Sequence, residues 1–359
     1  MGSRKIKGGW ILVVTYLFLA FLFFITIGLD VLEEKATFQF YSDSKVWEEE
    51  ALYPQFEDAT AINHNTYGPV TILNILGPRN YWGIFAFNII VFIISLYLIA
   101  DNKEFKVNKL FFLVLLSPIT FTSLLSINKE IFSLITTALI IYNHNKKKLL
   151  LIPLIIFVSY MSRWQFTLFY FVYLFTFSKF NFLKEKRFPF FLVLLSGITI
   201  MLFLLRNTLL YEVFSVYERV VDTNYEGGGT FRNLMTIQDK FGYIFAFIPK
   251  TLLILVANIR RYDKFFDFSD AYNNVILFLQ TLYHIYILFL CYKHYIFKFR
   301  NTFFYLALIY FAIFCITPVY NPRYFYPALL FLCCELAKKR KKTNQIVYDK
   351  STSLWINRC

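Results

Sequence analysis

The sequence predicts an all-α polytopic membrane protein with about 10 transmembrane helices, short outward-facing helical hairpins and two larger outer loops. Three features of its 359 residues carry that prediction. Hydrophobic side chains make up 58% of the chain and charged ones 17%, with a mean hydropathy of +0.52; soluble domains hold about 45–50% and about 25%. Forty-five Phe and 26 Tyr bring more aromatic surface than one soluble core can hide. Apolar runs close to the roughly 20 residues of a spanning helix recur along the chain. The net charge of +14 is therefore read loop by loop, and nucleic acid is not expected as a partner.

Residues 10–29 form the first span, behind Arg4, Lys5 and Lys7. The segment lacks the short apolar region and small-residue cleavage site of a signal peptide and reads as a retained anchor. Residues 30–80 are the first outer loop, with nine acids against three bases between Asp30 and Arg79. Residues 81–100 are the second span, and 110–126 the third, interrupted by Pro118. Asn128-Lys129-Glu130 then leads into a short apolar run, 131–142, and the basic triplet Lys146-Lys147-Lys148. The next run, 149–177, is broken at Ser162-Arg163-Trp164. Two short spans meeting at Arg163 put both flanking basic loops, 146–148 and 179–187, on the cytoplasmic side, as the positive-inside rule favours.

Residues 188–205 lead out to the second outer loop, 206–274. Within it the apolar stretch 243–259, holding Pro249 and Lys250, reads as re-entrant or interfacial, which keeps later loops on consistent sides. Residues 275–292, 303–320 and 324–337 complete the set. Residues 1–342 thus make one membrane domain and 343–359 a cytoplasmic tail. Lys and Arg accumulate in the loops assigned inward and acids in those assigned outward, so both termini are expected in the cytoplasm.

Four ionisable residues fall at the tips of outward turns: Lys129 and Glu130, Arg163, and Arg323 within Asn321-Pro322-Arg323-Tyr324. Charges at such depth cost several kcal/mol unless paired or hydrated, and they mark a functional site by default. Individually, Lys129 and Glu130 also suit helix ends, and the arginines suit snorkelling to headgroups. Three bases and one acid on one face suit an anion carried by lipid, such as a diphosphate, because the Arg fork matches phosphate oxygens. Asp43, in Tyr41-Ser42-Asp43-Ser44, follows the first span and is a candidate general base as well as a candidate N-cap. Glu48 to Glu50 read as a solvated face, and Asn65 to Pro69 as a turn. The glycines of Tyr225-Glu226-Gly227-Gly228-Gly229 suggest a flexible linker or a lid. They lack the Lys-Ser/Thr and the strand and helix context of a nucleotide loop. Arg232, Gln238 and Lys250 are candidate sugar or phosphate contacts. His64, His144, His284 and His294 read as surface or interfacial residues without a role. Cys291, Cys315, Cys333, Cys334 and Cys359 form no CxxC pair, so neither a disulfide framework nor a metal site is expected.

The series Tyr41-Ser42-Asp43-Ser44, Ser126-Ile127-Asn128-Lys129-Glu130, an outward Arg163, a Gly-rich outer loop and Asn321-Pro322-Arg323-Tyr324 resembles the multi-pass enzymes of bacterial surface-polysaccharide assembly. These are the Wzy-like O-antigen or capsule repeat-unit polymerases and the related-looking C-type (GT-C) glycosyltransferases. The resemblance runs through most of the chain, on short motifs. It implies a glycosyltransferase of the bacterial cytoplasmic (inner) membrane. The substrate implied is an undecaprenyl-diphosphate-linked oligosaccharide at the outer face, built into O-antigen (lipopolysaccharide) or capsule. Arg163, Arg323 and Lys129 would hold the diphosphate, with Tyr324 beside them, and Asp43 or Glu130 would assist the acceptor hydroxyl. A chain-length regulator and other polysaccharide-assembly proteins are the implied partners, besides membrane lipids. The chain departs from metal-dependent members in lacking a paired-acid signature, so no cofactor is expected. Two alternatives stand beside this reading. One is a C-type transferase adding a single sugar from a polyprenyl-phosphate donor. The other is a lipid-linked-sugar flippase, which would show internal repeat symmetry and charges near the midplane.

Overall fold

The computed structural model describes residues 3–27, 44–52, 67–205, 228–268, 272–316 and 321–339. Among them the chain is helical, and the β pairing is limited to one bridge between Phe105 and Lys338. The helices are α1 (Ser3–Ile27), α2 (Ser44–Leu52), α3 (Tyr67–Leu76), α4 (Tyr81–Ala100), α5 (Val107–Leu115), α6 (Pro118–Leu125), α7 (Lys129–Lys146), α8 (Leu151–Ser162), α9 (Trp164–Phe177) and α10 (Arg187–Leu205). They continue as α11 (Gly228–Phe241), α12 (Tyr243–Val256), α13 (Leu277–Lys293), α14 (Thr302–Phe314) and α15 (Tyr326–Ala337). Five helical segments among the described residues are long and apolar enough to cross a membrane: Gly8–Thr26, Tyr81–Ala100, Arg187–Leu205, Tyr243–Lys264 and Tyr272–Lys293. The bent pair α5–α6 makes a sixth if it counts as one span.

The breaks follow local chemistry. Ser117 is extended and Pro118 opens α6 as its first residue, where a missing N–H costs nothing. The two helices meet at 73°. Gln280 of α13 braces the bend: its Oε1 accepts from the Ser117 hydroxyl at 3.0 Å and from the Ile119 N–H at 3.4 Å. Its amide nitrogen lies 3.0 Å from His284 Nε2, and His284 Nδ1 lies 3.2 Å from the Leu255 carbonyl. His284 is fully buried, unlike the surface or interfacial position read from the sequence. Both ring nitrogens are used, and the network joins α6, α12 and α13.

At the next break, Asn128 caps α7 by accepting from Ile131 N–H at 2.9 Å, while its amide group donates to the carbonyls of Ser123 and Ser126. Asn88 of α4 donates to the carbonyls of Leu124 and Ser126. The cap lets α7 begin at Lys129 and run 18 residues, longer than the apolar run 131–142. Between α8 and α9 one residue, Arg163, is extended (φ −168°, ψ 139°). The hydroxyls of Ser159 and Thr167, four residues to either side, meet at 2.9 Å, so the chain turns back on itself there.

The connections gather at two ends. At one end Lys146 pairs with Asp101 at 2.8 Å, Arg187 donates to the carbonyls of Phe299 and Arg300, and Lys106 N–H donates to Ala337. Glu335 accepts from the Phe303 N–H at 3.0 Å and from Lys338 at 3.2 Å, tying the end of α15 to the start of α14. At the other end lie the turns at Asn128, Arg163 and Arg323. Between them, α14 and α15 are buried on nearly every side. In contrast α1, α4 and α10 expose Val14, Ile90 and Phe203, as lipid-facing helices would.

Several expected loops are helical. Tyr67, Gly68 and Pro69 are the first turn of α3, not a turn. Gly228 and Gly229 open α11, not a linker. The stretch 243–259, expected to be re-entrant or interfacial, is helical. In it α12 packs against α11 as a hairpin and runs on through a 3-10 turn, Ala257–Lys264, the joined segment being span-length by length and composition. Pro249 is accommodated inside α12.

Candidate functional site

Three helix breaks, far apart in sequence, deliver their polar side chains to one point. Glu130 stands in the first turn of α7, where the positive end of the helix dipole favours a carboxylate. It is 5% exposed. Its Oε1 accepts from Arg163 Nη2 at 3.0 Å, and Arg323 Nε lies 3.8 Å from the same oxygen. Arg163 is itself 8% exposed, and the extended backbone at the α8–α9 reversal places it there instead of on a lipid-facing helix surface. Arg323 sits on the 3-10 turn Pro322–Phe325, where Asn321 Oδ1 accepts from Arg323 N–H at 3.1 Å.

Tyr324 joins the two guanidinium groups. The Arg163 Cζ lies 4.1 Å from the centre of its ring and the Arg323 Cζ 5.6 Å. Its backbone carbonyl accepts from the hydroxyl of Tyr310 on α14 at 3.1 Å, which ties this turn to the buried core. Tyr272 forms a further wall, 5.9 Å from Arg323. Behind Arg163, the hydroxyls of Ser133 and Ser162 meet at 2.7 Å.

Lys129 turns to the neighbouring side of the same tip. Its ammonium lies 5.3 Å from the centre of the Trp47 ring, a cation–π contact. Trp47 is 3% exposed and packs with Leu73, Ile84 and Ile127 in a small second core. This core docks α2 onto the rest of the protein, so Glu48 is half-buried and not part of a solvated face. Burial pushes the Glu48 carboxyl up to about 7, against the lowering pull of Arg79 and of the Tyr81 hydroxyl. Beside it, Gly68 lets α3 approach α8: a Cβ there would lie 2.8 Å from the carbonyl carbon of Met161, two residues before Arg163.

The structure therefore brings together Glu130, Arg163, Arg323 and Tyr324, with Lys129 adjacent. Lys250 belongs to a different setting: it is fully buried in the α11–α12 hairpin, donating to Gln238 Oε1 at 3.0 Å and contacting Met235 Sδ at 3.4 Å. Arg232 lies on α11 with its side chain outside the described part, and Asp43 is outside the described residues. Sequence reasoning missed Tyr272 and Trp47. A lone tryptophan among charged residues in α2 was the available signal for the second.

Chemically, the cluster sets two guanidinium groups against one carboxylate where three helix breaks meet, with the Lys129 ammonium on the neighbouring side over Trp47. Two planar forks in a site shielded from water suit phosphate oxygens better than a lone carboxylate. No known family model, curated protein or solved structure matches the chain.

Proposed function

We propose that this protein is a membrane glycosyltransferase. Its substrate is an undecaprenyl-diphosphate-linked oligosaccharide at the outer face of the cytoplasmic membrane, and its most fitting reaction is polymerisation of O-antigen or capsule repeat units. The observation that carries the proposal is the buried Glu130–Arg163–Arg323 cluster stacked on Tyr324. On this reading the bent pair α5–α6 and the shorter helices α7, α8, α9, α14 and α15 also cross, while α12 stays on the outer side as a re-entrant or interfacial segment. That gives ten passes with both termini inside. The basic end, with Lys146, Arg187 and Lys338, faces the cytoplasm. At 1.5 Å per residue, the 12 residues of α8 and 14 of α9 reach about 18 and about 21 Å. A hydrocarbon core is about 30 Å thick, so on this reading the Arg163 turn stops about 10 Å short of its outer edge, at the floor of a cavity into which a lipid-linked diphosphate would be drawn.

The chemistry follows. An acceptor hydroxyl oxygen attacks the anomeric carbon of the donor, the bond from that carbon to the diphosphate oxygen breaks, and undecaprenyl diphosphate departs with the electron pair. Arg163 and Arg323 stabilise the charge that develops on the leaving diphosphate. The hydroxyl proton passes to a carboxylate, Asp43 or Glu130. With its Oε1 already bonded to Arg163, Glu130 is the better orienter of the arginines and Asp43 the better base.

Arg323→Ala tests the proposal in a native host. The expected result is loss of the long-chain polysaccharide ladder with single repeats retained, from a variant still inserted at wild-type level. Wild-type chain length would end the diphosphate role. Loss of one branch sugar from an otherwise normal polymer would favour the single-sugar transferase instead. Substrate accumulating on the inner leaflet would favour a flippase.

A further inference from the structure

At the basic end, the connection from α9 to α10, residues 178–186, mixes cations with apolar side chains: Lys179, Phe180, Phe182, Leu183, Lys184 and Lys186. Leu183 packs on the core. Phe180 is 87% exposed and Phe182 90%, and the three lysines are exposed beside them.

The backbone holds the two phenylalanines in that position. Asn181, between them in sequence, is buried. Its amide group donates to the Thr176 carbonyl at 2.9 Å, and its Oδ1 accepts from the Leu183 N–H at 2.9 Å. The Lys184 N–H then closes on the Asn181 carbonyl and the Lys186 N–H on that of Leu183. With Asn181 turned inward, its neighbours on both sides turn outward. The connection from α4 to α5 carries a similar mixture at the same end, Lys103-Glu104-Phe105-Lys106, yet Phe105 is buried there. Outward phenylalanines are therefore particular to the α9–α10 turn.

Large apolar side chains held in water are costly, and a patch of them marks an interaction surface. Two observations say what covers this one. First, exposed side chains of the flanking helices lead into it, Phe171 and Phe175 on α9 and Phe188 and Leu192 on α10, so it continues the surface that faces lipid. Second, its charge is positive, with three lysines against Glu185. The connection from α7 to α8 repeats the pattern, exposed Leu149 and Leu150 following Lys147 and Lys148. Apolar groups at the acyl boundary with lysines reaching phosphate make an interfacial anchor.

We propose that the α9–α10 connection is a docking site for anionic lipid. Phe180 and Phe182 enter the acyl boundary of the leaflet at the basic end, and Lys179, Lys184 and Lys186 hold its phosphate headgroups. The proposal stands apart from the sugar-transfer reading. Anchored there, α9 starts from a fixed level at one membrane surface, which sets the depth of the Arg163 turn at its other end.

The test uses the full-length protein with Cys359→Ser, the other four cysteines being buried. Spin labels go singly onto Phe180→Cys, Phe182→Cys and Glu185→Cys in nanodiscs of phosphatidylcholine and phosphatidylglycerol, so each label at one phenylalanine leaves the other in place. Collision with oxygen, which concentrates in lipid, is compared with collision with a water-soluble nickel chelate. The labels at 180 and 182 should favour oxygen several-fold over the label at 185. In a second arm, phosphatidylglycerol competes with phosphatidylcholine for the detergent-solubilised protein. Wild type is compared with the triple variant Lys179→Gln, Lys184→Gln, Lys186→Gln and with the double variant Lys103→Gln, Lys106→Gln, each checked for an unchanged melting temperature. Preference for phosphatidylglycerol should fall about fivefold per lysine in the triple variant and stay near wild type in the double. Labels at 180 and 182 as open to nickel as that at 185 would overturn the proposal and make the patch a surface for a soluble partner. An equal loss per lysine in the two variants would also overturn it, reducing the effect to net charge. An unchanged preference in the triple variant would remove the headgroup assignment.

Discussion

Replacing Arg163 with alanine takes away the nearest partner of a carboxylate that is only 5% exposed. Removing one member of a buried ion pair costs about 3–5 kcal/mol, because the remaining charge stays desolvated. Arg323, 3.8 Å from the same oxygen, keeps part of the compensation, which places Arg163→Ala near about 3 kcal/mol. Glu130→Gln should cost a similar amount, since it leaves two guanidinium groups facing each other across one tyrosine ring. Combined, the two substitutions remove the stranded carboxylate along with its partner. The double variant should therefore be more stable than the two single losses add up to, by a coupling of about 2–3 kcal/mol.

The assay is built into the core. Cys291, Cys315, Cys333 and Cys334 are buried, so a thiol-reactive dye labels them only on unfolding. In a Cys359→Ser background, labelling across a denaturant series gives the stability of each variant. Strict additivity of the single losses, within about 0.5 kcal/mol, would refute the argument that Glu130 and Arg163 form one electrostatic unit.

Two further outcomes follow from the region around α2 and α3. Gly68→Ala sets a methyl group against the Met161 backbone and should cost about 1–3 kcal/mol by forcing α3 away from α8. Trp47 fluorescence should red-shift as its small core opens, and an unshifted spectrum at wild-type stability would exclude that packing. Glu48 holds its proton up to about 7 against an ordinary 4.5, so the folded form binds that proton more tightly than the unfolded one. Its contribution to stability is complete below pH 4.5, declines as pH rises from 4.5 to about 7, and is flat beyond. Glu48→Gln should remove that decline from the stability profile between pH 4.5 and 8, and an identical slope in both proteins would show that another group titrates there.

How far the chain could be read in advance depended on the range of the interaction. The breaks at Pro118, Asn128 and Arg163 were legible because a missing N–H, a side-chain cap and a charge within an apolar run act over a few residues. The membrane-crossing character was equally open, since it is a property of composition. Whether helices began where apolar runs began was not. Lys129 and Glu130 lengthen α7 beyond its apolar part because the Asn128 cap sets its start, and Gly228 starts a helix despite its poor propensity because α11 packs along α12. His284 looked peripheral, since nothing local announces the Gln280 and Leu255 partners that satisfy it from other helices. The meeting of Glu130, Arg163 and Arg323 was expected only as a consequence of sidedness. Its arrangement, with one carboxylate between two forks and a tyrosine ring against both, depends on how α7, α9 and α15 pack across the core.

That arrangement explains why an acid belongs in a site proposed for an anion. Two arginines brought together in a buried site repel each other, and without a counter-charge they would swing apart toward a more polar environment. Glu130 holds Arg163 at 3.0 Å and draws Arg323 to 3.8 Å, so both forks are oriented before any ligand arrives. Glu130 carries a single negative charge against two guanidinium groups, and on the proposed reading an incoming diphosphate supplies the rest. The looser of its two contacts, to Arg323, is the one a phosphate oxygen displaces more readily. Arg163, fixed by Glu130 on one side and the Tyr324 ring on the other, then serves as the stationary half of the clamp and Arg323 as the adjustable half.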